Sequence, residues 1–378
     1  MKIKSSIFIG IIFLWSSFTL ISAYAHTPDE IRVQILEDAP NFSLKISGYY
    51  EIMDYRHRNV FSSGRNLNTT IVPYSKGILI GGINFPVRRL FISVNDPDLI
   101  VINDRNFRGD VQIIKTSPSK LSVINYIDLE DYVKGVLYNE ASHYWPMEAL
   151  KAQAIVSRTY ARYQMKQNYA NDFDVTNSVY SQIYGGCTSE RLRTNNAVEE
   201  TKGLVLEYKG KIIPAYFHAT CGGHTENASE LWNINLLPLK GVVCKYCKDS
   251  PHFNWHAVLF TGDIRQDLVD AGKKSGVIKK IIILGRDDSG RITNLKIVNT
   301  KGELIILAND FRNIIGPNVI KSTNFNVSVI GTDAVFEGVG WGHGVGLCQW
   351  GAYFMAKDGA SAEKILKYYY PSVDVKTF

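Results

Sequence analysis

The 378 residues are 45% hydrophobic and 21% charged, with 42 basic against 36 acidic side chains and a formal net charge of +6. That balance excludes a chain dominated by disorder and supplies a sizeable core, as one large or two ordinary domains. The mild basic excess suits work near an anionic wall or membrane surface, and the absence of a Lys/Arg cluster argues against a nucleic-acid partner.

Residues 1–25 read as a signal peptide: Lys2 and Lys4, an apolar run from Ile7 to Ile21, then Ala23-Tyr24-Ala25 as a small-x-small cleavage site. Cleavage would start the mature chain near His26 and export it to the cell envelope, periplasmic or extracytoplasmic. The run is short against the ~20 residues that span a bilayer, so an uncleaved membrane anchor is the weaker alternative, and no later stretch offers a transmembrane body.

Residues 26–120 read as a β-rich N-terminal region. Short runs such as Ile31–Leu36, Gly77–Ile83, Leu90–Val94 and Val111–Lys115 are separated by Gly, Pro, Asn and Asp. The sequence gives this region no chemistry. A second region, 121–378, opens with Leu129, Tyr132, Val133, Val136 and Leu137 at i, i+3, i+4, i+7 and i+8, which predicts a helix with Asp128 as its N-cap. A second helix is expected from Pro146, at the first helical position, to about Asn168. Between them Asn139–Trp145 form a corner carrying Glu140. Strands return over Leu204–Tyr208, Ile212–Phe217, Ile281–Leu284, Leu295–Asn299 and Glu303–Leu307, and Pro371 stops a last helix near Ala362–Tyr369. The fold class that follows is α+β, a helical hairpin packed on antiparallel β structure.

On the second helix Met147, Leu150, Ala154, Ala161 and Met165 share one apolar face, with Arg158 at its edge. A guanidinium held there needs an anion, and Glu140 is the nearest candidate at the preceding corner; the alternatives are another acid or a head group that reaches the rim. Glu140 follows the C-terminal turn of the first helix, whose dipole raises a carboxyl pKa, as would desolvation by Tyr144 and Trp145. A nearby Arg158 would lower it, so the direction stays open. A raised value is what a general acid needs at neutral pH.

Five cysteines, Cys187, Cys221, Cys244, Cys247 and Cys348, cannot all close into internal disulfides. Cys221, Cys244 and Cys247 with His218 fit a closed, structural zinc site, with His224 as the alternative fourth ligand. A disulfide between two of the three cysteines is the competing reading. Cys348 reads as a packing residue. A zinc amidase or peptidase needs an open site rich in His and carboxylate, and no H-E-x-x-H motif occurs.

Two separated blocks are recognisable. Leu129-Glu130-Asp131-Tyr132-Val133-Lys134-Gly135-Val136, Glu140, Ala149-Leu150-Lys151-Ala152-Gln153-Ala154 and Arg158-Thr159-Tyr160-Ala161 resemble the stage II sporulation protein D family. Gly340-Trp341-Gly342-His343-Gly344-Val345-Gly346-Leu347-Cys348-Gln349-Trp350-Gly351-Ala352, followed by Ile365–Pro371, is similar to its C-terminal signature. The resemblance implies a lytic transglycosylase that breaks the MurNAc–GlcNAc bond of peptidoglycan without water and leaves a 1,6-anhydro end. Its catalytic glutamate matches Glu140. One carboxyl suffices, because the muramic acid's own 6-hydroxyl is an intramolecular nucleophile and Glu140 acts as acid, then base. Lys151, Gln153, Arg158 and Tyr160 would bond sugar hydroxyls or orient Glu140. The glycine-rich loop would bring Trp341, His343 and Gln349 to the sugar; the alternative is a tight turn with Trp and His in the core. The implied partners are peptidoglycan glycan strands, peptide-denuded or not, and a peptidoglycan amidase. The rival function is a non-catalytic glycan-binding module or amidase enhancer.

Overall fold

Period-two alternation builds the first layer. In strand Phe42–Asp54, Phe42, Leu44 and Ile46 are buried while Ser43, Lys45 and Ser47 are exposed. The computed structural model describes residues 29–378 except 56–58, 96, 98 and 179–180, so the export segment read over residues 1–25 lies outside the described residues. Strand Phe42–Asp54 pairs antiparallel with Val60–Tyr74 and Arg89–Val94 within an eleven-stranded sheet. Strand Lys120–Asp128 runs between Glu30–Ala39 and Asp110–Ser117 and is buried on both faces.

That strand delivers the chain into the helical hairpin. The Asp128 carboxylate accepts the N–H groups of Glu130 and Asp131 at 2.9 and 3.3 Å, capping helix α1 (Leu129–Glu140) as the sequence predicts. Leu129, Tyr132, Val133, Val136 and Leu137 are all buried in the core beneath the sheet. Helix α2 (Met147–Gln167) follows, with Pro146 at the N-cap, one position earlier than expected. Leu150, Ala154 and Ala161 join the sheet core, while Ala152, Ile155 and Val156 enter a second core with Leu206, Leu347 and Leu366. Burial on both sides explains why α2 carries small residues where a surface helix would carry charges.

Helices α3 (Leu192–Glu200) and α4 (Ala228–Trp232) lead towards a third core, made by α5 (Thr261–Asp270) and α6 (Ala308–Ile315) with two three-stranded sheets. The chain then returns to the second core through α7 (Gln349–Lys357) and α8 (Ala362–Tyr369). The fold is α+β as the sequence implies, but the region 121–378 contributes to all three of these cores. The strand expected over Ile212–Phe217 is a correction: only Lys211–Ile212 and Phe217–His218 pair, because Pro214 lacks the N–H a ladder requires. No described helix is long and apolar enough to cross a membrane.

Among the partners the sequence leaves open for Arg158, the fold supplies another acid and not Glu140. It is 1% exposed, and its Nε and Nη2 donate to the two carboxylate oxygens of Glu130 at 2.8 and 2.6 Å, not to Glu140. The Leu204 and Val198 carbonyls accept from it at 3.2 and 3.3 Å, and Glu130 also accepts the Gly203 N–H at 2.9 Å. Glu130 lies in the first turn of α1, opposite the middle of the antiparallel α2, whereas Glu140 sits at the far end. Removing one partner leaves an uncompensated buried charge, so Glu130→Gln should cost about 3–5 kcal/mol in urea unfolding. Arg158→Lys should restore little, since an ammonium cannot reproduce the two-pronged bond.

Candidate functional site

Glu140 ends α1, and Ala141 leaves the helix with extended backbone (φ −142°, ψ 129°). The Ile183 N–H donates to the Glu140 carboxylate at 3.1 Å. Asn139 holds that loop by donating to the Ile183 carbonyl at 3.0 Å. From the far end of the sequence, the Gln349 side-chain amide donates to the Glu140 main-chain carbonyl at 3.0 Å, close enough to favour the charged form of its carboxyl. The same amide reaches Gln153 Oε1 at 3.4 Å, and Gln153 donates to Ser157 at 3.2 Å. Glu140, Gln153 and Gln349, drawn from both motif blocks, therefore meet at one corner.

Burial raises the Glu140 carboxyl above its ordinary range, and the donors Ile183 and Gln349 oppose this without cancelling it. Arg158, committed to Glu130, takes no part. The direction left open by the sequence is upward, while the residue keeps part of its surface accessible.

Aromatic rings extend from this corner. Trp145 lies 5.2 Å from Trp350 and 5.3 Å from Tyr353, ring centre to ring centre. Trp350 lies 6.1 Å from His252, which stands edge-on to Trp341 at 4.8 Å. Lys321 Nζ sits 4.8 Å above the Trp341 ring. All five rings are half-buried, a form suited to the apolar faces of sugars. Trp350, Tyr353 and Phe354 fall at i, i+3 and i+4, a helical signal obscured in the sequence by the glycines before it.

The other predicted residues separate. Lys151 is half-buried and paired with Glu148 at 3.0 Å and Glu200 at 2.6 Å. Tyr160 is 7% exposed, and burial raises its phenol. His343 is half-buried, its Nδ1 accepting the Val345 N–H at 3.1 Å and its ring lying 5.1 Å from Trp232 and 5.6 Å from His218. Burial depresses its pKa to about 3. Two glycines permit this loop. A Cβ on Gly344 (φ 90°) would stand 2.5 Å from the Arg291 guanidinium, and one on Gly346 (φ 73°) 2.0 Å from the Tyr216 carbonyl.

The sulfurs of Cys221, Cys244, Cys247 and Cys348 are buried and all within 4.8 Å of one another. A tetrahedron with ~2.3 Å metal–sulfur bonds has edges of ~3.8 Å, so the donor set fits a closed four-thiolate site. No disulfide links them, Cys221 and Cys247 being 3.4 Å apart at sulfur. Two sequence readings are corrected here. Cys348, taken as packing, is the fourth sulfur, and His218, taken as the fourth ligand, faces the Val345 carbonyl at 3.2 Å through Nδ1. Parallel pairing of Phe217–His218 with Leu347–Cys348 brings Cys348 to the cluster, a contact between residues 127 positions apart at Cys221. His224, the alternative, faces the Thr225 carbonyl. The Cys348 sulfur also accepts the Gly351 N–H at 3.4 Å and so caps α7, fixing Gln349 and Trp350 at the Glu140 corner.

The Stage II sporulation protein family model matches residues 117–208, which hold the hairpin, Glu140 and Ile183. Stage II sporulation protein D of Bacillus amyloliquefaciens is 30% identical over 72% of this chain and 83% of its own length. The chain belongs to the stage II sporulation protein D family. An uncharacterised protein of Brachyspira hyodysenteriae is 35% identical over 91% of this chain and 92% of its own length. An amidase enhancer of Bacillus subtilis is 28% identical over 65% of this chain and 40% of its own length. A domain of unknown function, DUF8618, matches residues 239–346, which hold Cys244, Cys247 and Trp341.

Because His343 is neutral when folded but titrates near 6.5 when unfolded, its contribution to stability is complete above pH 6.5 and lost as pH falls towards about 3. Unfolding free energy should drop by roughly 2 kcal/mol between pH 6.5 and 5, at about 1.36 kcal/mol per unit, and His343→Gln should flatten that slope in chemical denaturation.

Proposed function

We propose that the chain is an exported peptidoglycan lytic transglycosylase that cleaves the MurNAc–GlcNAc bond, with Glu140 as acid and then base. Membership of the family, and relatives named for sporulation and for enhancing an amidase, support a cell-wall role. The observation that carries the finer reading is the Glu140 carboxyl: raised by burial, accessible at a corner, and bonded by neutral donors. Export by the segment over residues 1–25 and work at the cell envelope belong to the same proposal.

Glu140 donates its proton to the glycosidic oxygen as the bond to the muramic anomeric carbon breaks. The 6-hydroxyl oxygen of the same muramic acid bonds to that carbon, and its proton passes to the Glu140 carboxylate. The products are a free GlcNAc 4-hydroxyl and a 1,6-anhydro end, the enzyme returns to its starting state, and water is not consumed. The Ile183 N–H and the Gln349 amide stabilise the carboxylate between the two transfers. Trp145, Trp350 and Trp341 form the apolar platform, and Gln153 orients Gln349. Arg158 acts through the fold. The amidase-enhancer relative favours one second reading, a glycan-binding module without turnover.

We assign the four-cysteine site to zinc. When bound, the metal supplies a structural cross-link with no open position, and Cys348 transmits it to α7.

Peptide-free glycan digested by the protein should yield anhydro-ended fragments by mass spectrometry, and Glu140→Gln should abolish them while strand binding persists. The initial rate should fall as pH rises through the raised Glu140 value, since the first step needs its proton. Gln349→Leu removes a donor that lowers that value, so the falling limb should move to higher pH. Absence of anhydro ends from the unaltered protein, with binding intact, would leave the enhancer reading. Metal analysis should find one zinc per chain, and Cys348→Ser or chelation should lower the melting temperature.

A further inference from the structure

The third core exposes a sheet face that the Glu140 chemistry does not use, polar at the end of Asn254, His256 and Asn326 and apolar at the end of Val258, Phe260 and Ile330. In strands Asn254–Phe260, Phe325–Ile330 and Asp333–Val339, alternation sends Trp255, Phe325 and Phe336 inward and Asn254, His256, Asn326 and Glu337 outward. The register sets His256 opposite Glu337 and Glu337 opposite Asn326, making one continuous polar row across three strands. With Asn324 and Arg286 these residues line a cleft of about 560 Å³.

The cleft's charge is balanced. Arg286 is occupied in alignment, donating to the side-chain oxygens of Asn324 and Asn326 at 3.3 and 3.0 Å and to the Gly290 and Phe325 carbonyls at 2.7 and 2.6 Å. Its bonds turn both side-chain amides so that their oxygens are engaged, and their N–H groups are the donors left over. Glu337 supplies acceptors, His256 either role, and Asn254 both. Formal charge in the row is one cation against one anion. A neutral ligand rich in hydroxyl and acetamido groups matches this set; an anionic wall peptide would meet Glu337 with the guanidinium already engaged.

Its location agrees. The cleft begins two residues after His252 and ends two before Trp341, the edge-on pair that closes the ring series from the Glu140 corner. The Gly340 N–H donates to the Phe253 carbonyl at 2.7 Å and fastens these two approaches together.

We propose that this cleft is an accessory binding site for the N-acetylated glycan strand, holding sugars beyond those at Glu140. The ligand's identity rests on the proposed function, but the site is tested by binding alone. Full-length protein carrying Glu140→Gln is titrated calorimetrically with peptide-free glycan strands. Adding His256→Ala and Asn326→Ala should weaken binding about tenfold, about 1.4 kcal/mol, two exposed hydrogen bonds being lost. Unchanged affinity, or a loss seen with free stem tetrapeptide instead of glycan, overturns the site. A second measurement needs no substitution: bound strands should protect His256 of the unaltered protein from diethyl pyrocarbonate, mapped by mass spectrometry, and equal modification with and without strands overturns it. Failure of the transglycosylase reading would look different, with no anhydro ends while strand binding still depends on His256 and Asn326.

Discussion

A guanidinium that is 1% exposed, bound through two nitrogens to Glu130, sets the geometry of the helical hairpin. Desolvating such a charge is unfavourable unless its partners are all in place, and here they come from α1, from α3 and from the strand after it. The arrangement fixes α2 against the start of α1 and keeps the Arg158 guanidinium from pairing with Glu140 at the far end. Glu140, at that end, is governed by burial and by neutral donors. The buried positive charge that stabilises the fold is thus paired with Glu130 and not with Glu140.

The second constraint is a sulfur. Cys348 belongs to the four-cysteine cluster and also caps α7, so the cluster's geometry is transferred within one residue to Gln349 and within two to Trp350. Gln349 spans 209 positions of sequence to reach Glu140. The cysteine cluster buried in the second core thereby neighbours both the amide that reaches Glu140 and the indole beside Trp145. The glycine loop before it performs a packing task as well: its alternate residues pass Arg291 and Tyr216 at distances no side chain allows.

Local signals were legible. The 3.6-residue spacing from Leu129 to Leu137, the Asp128 cap and the proline at the second helix all describe what the hairpin does. Alternation announced the β region, and the ligand-rich stretch from Cys221 to Cys247 announced a cluster. What the sequence leaves open shares a cause. Arg158's partner, the sulfur of Cys348 and the surroundings of His343 depend on which surfaces face each other after folding, and sequence distance misleads there. Cys348 looked like packing because apolar neighbours surround it in sequence; it is a candidate ligand because a parallel pair with Phe217–His218 carries it to Cys221. Helix α7 was hidden by the glycines that precede it.

The sequence by itself determined the residue types able to move a proton, stack on a sugar or bind a metal, along with the helix and strand periods, because those follow from side-chain chemistry and from backbone geometry within a few residues. Only the tertiary structure decided that Glu140 is raised by burial and bonded by Ile183 and not by Arg158, that four sulfurs converge, and that the rings form a series from the corner to the glycine loop. Desolvation and through-space contact are properties of surfaces brought together across the chain, and no local pattern encodes them.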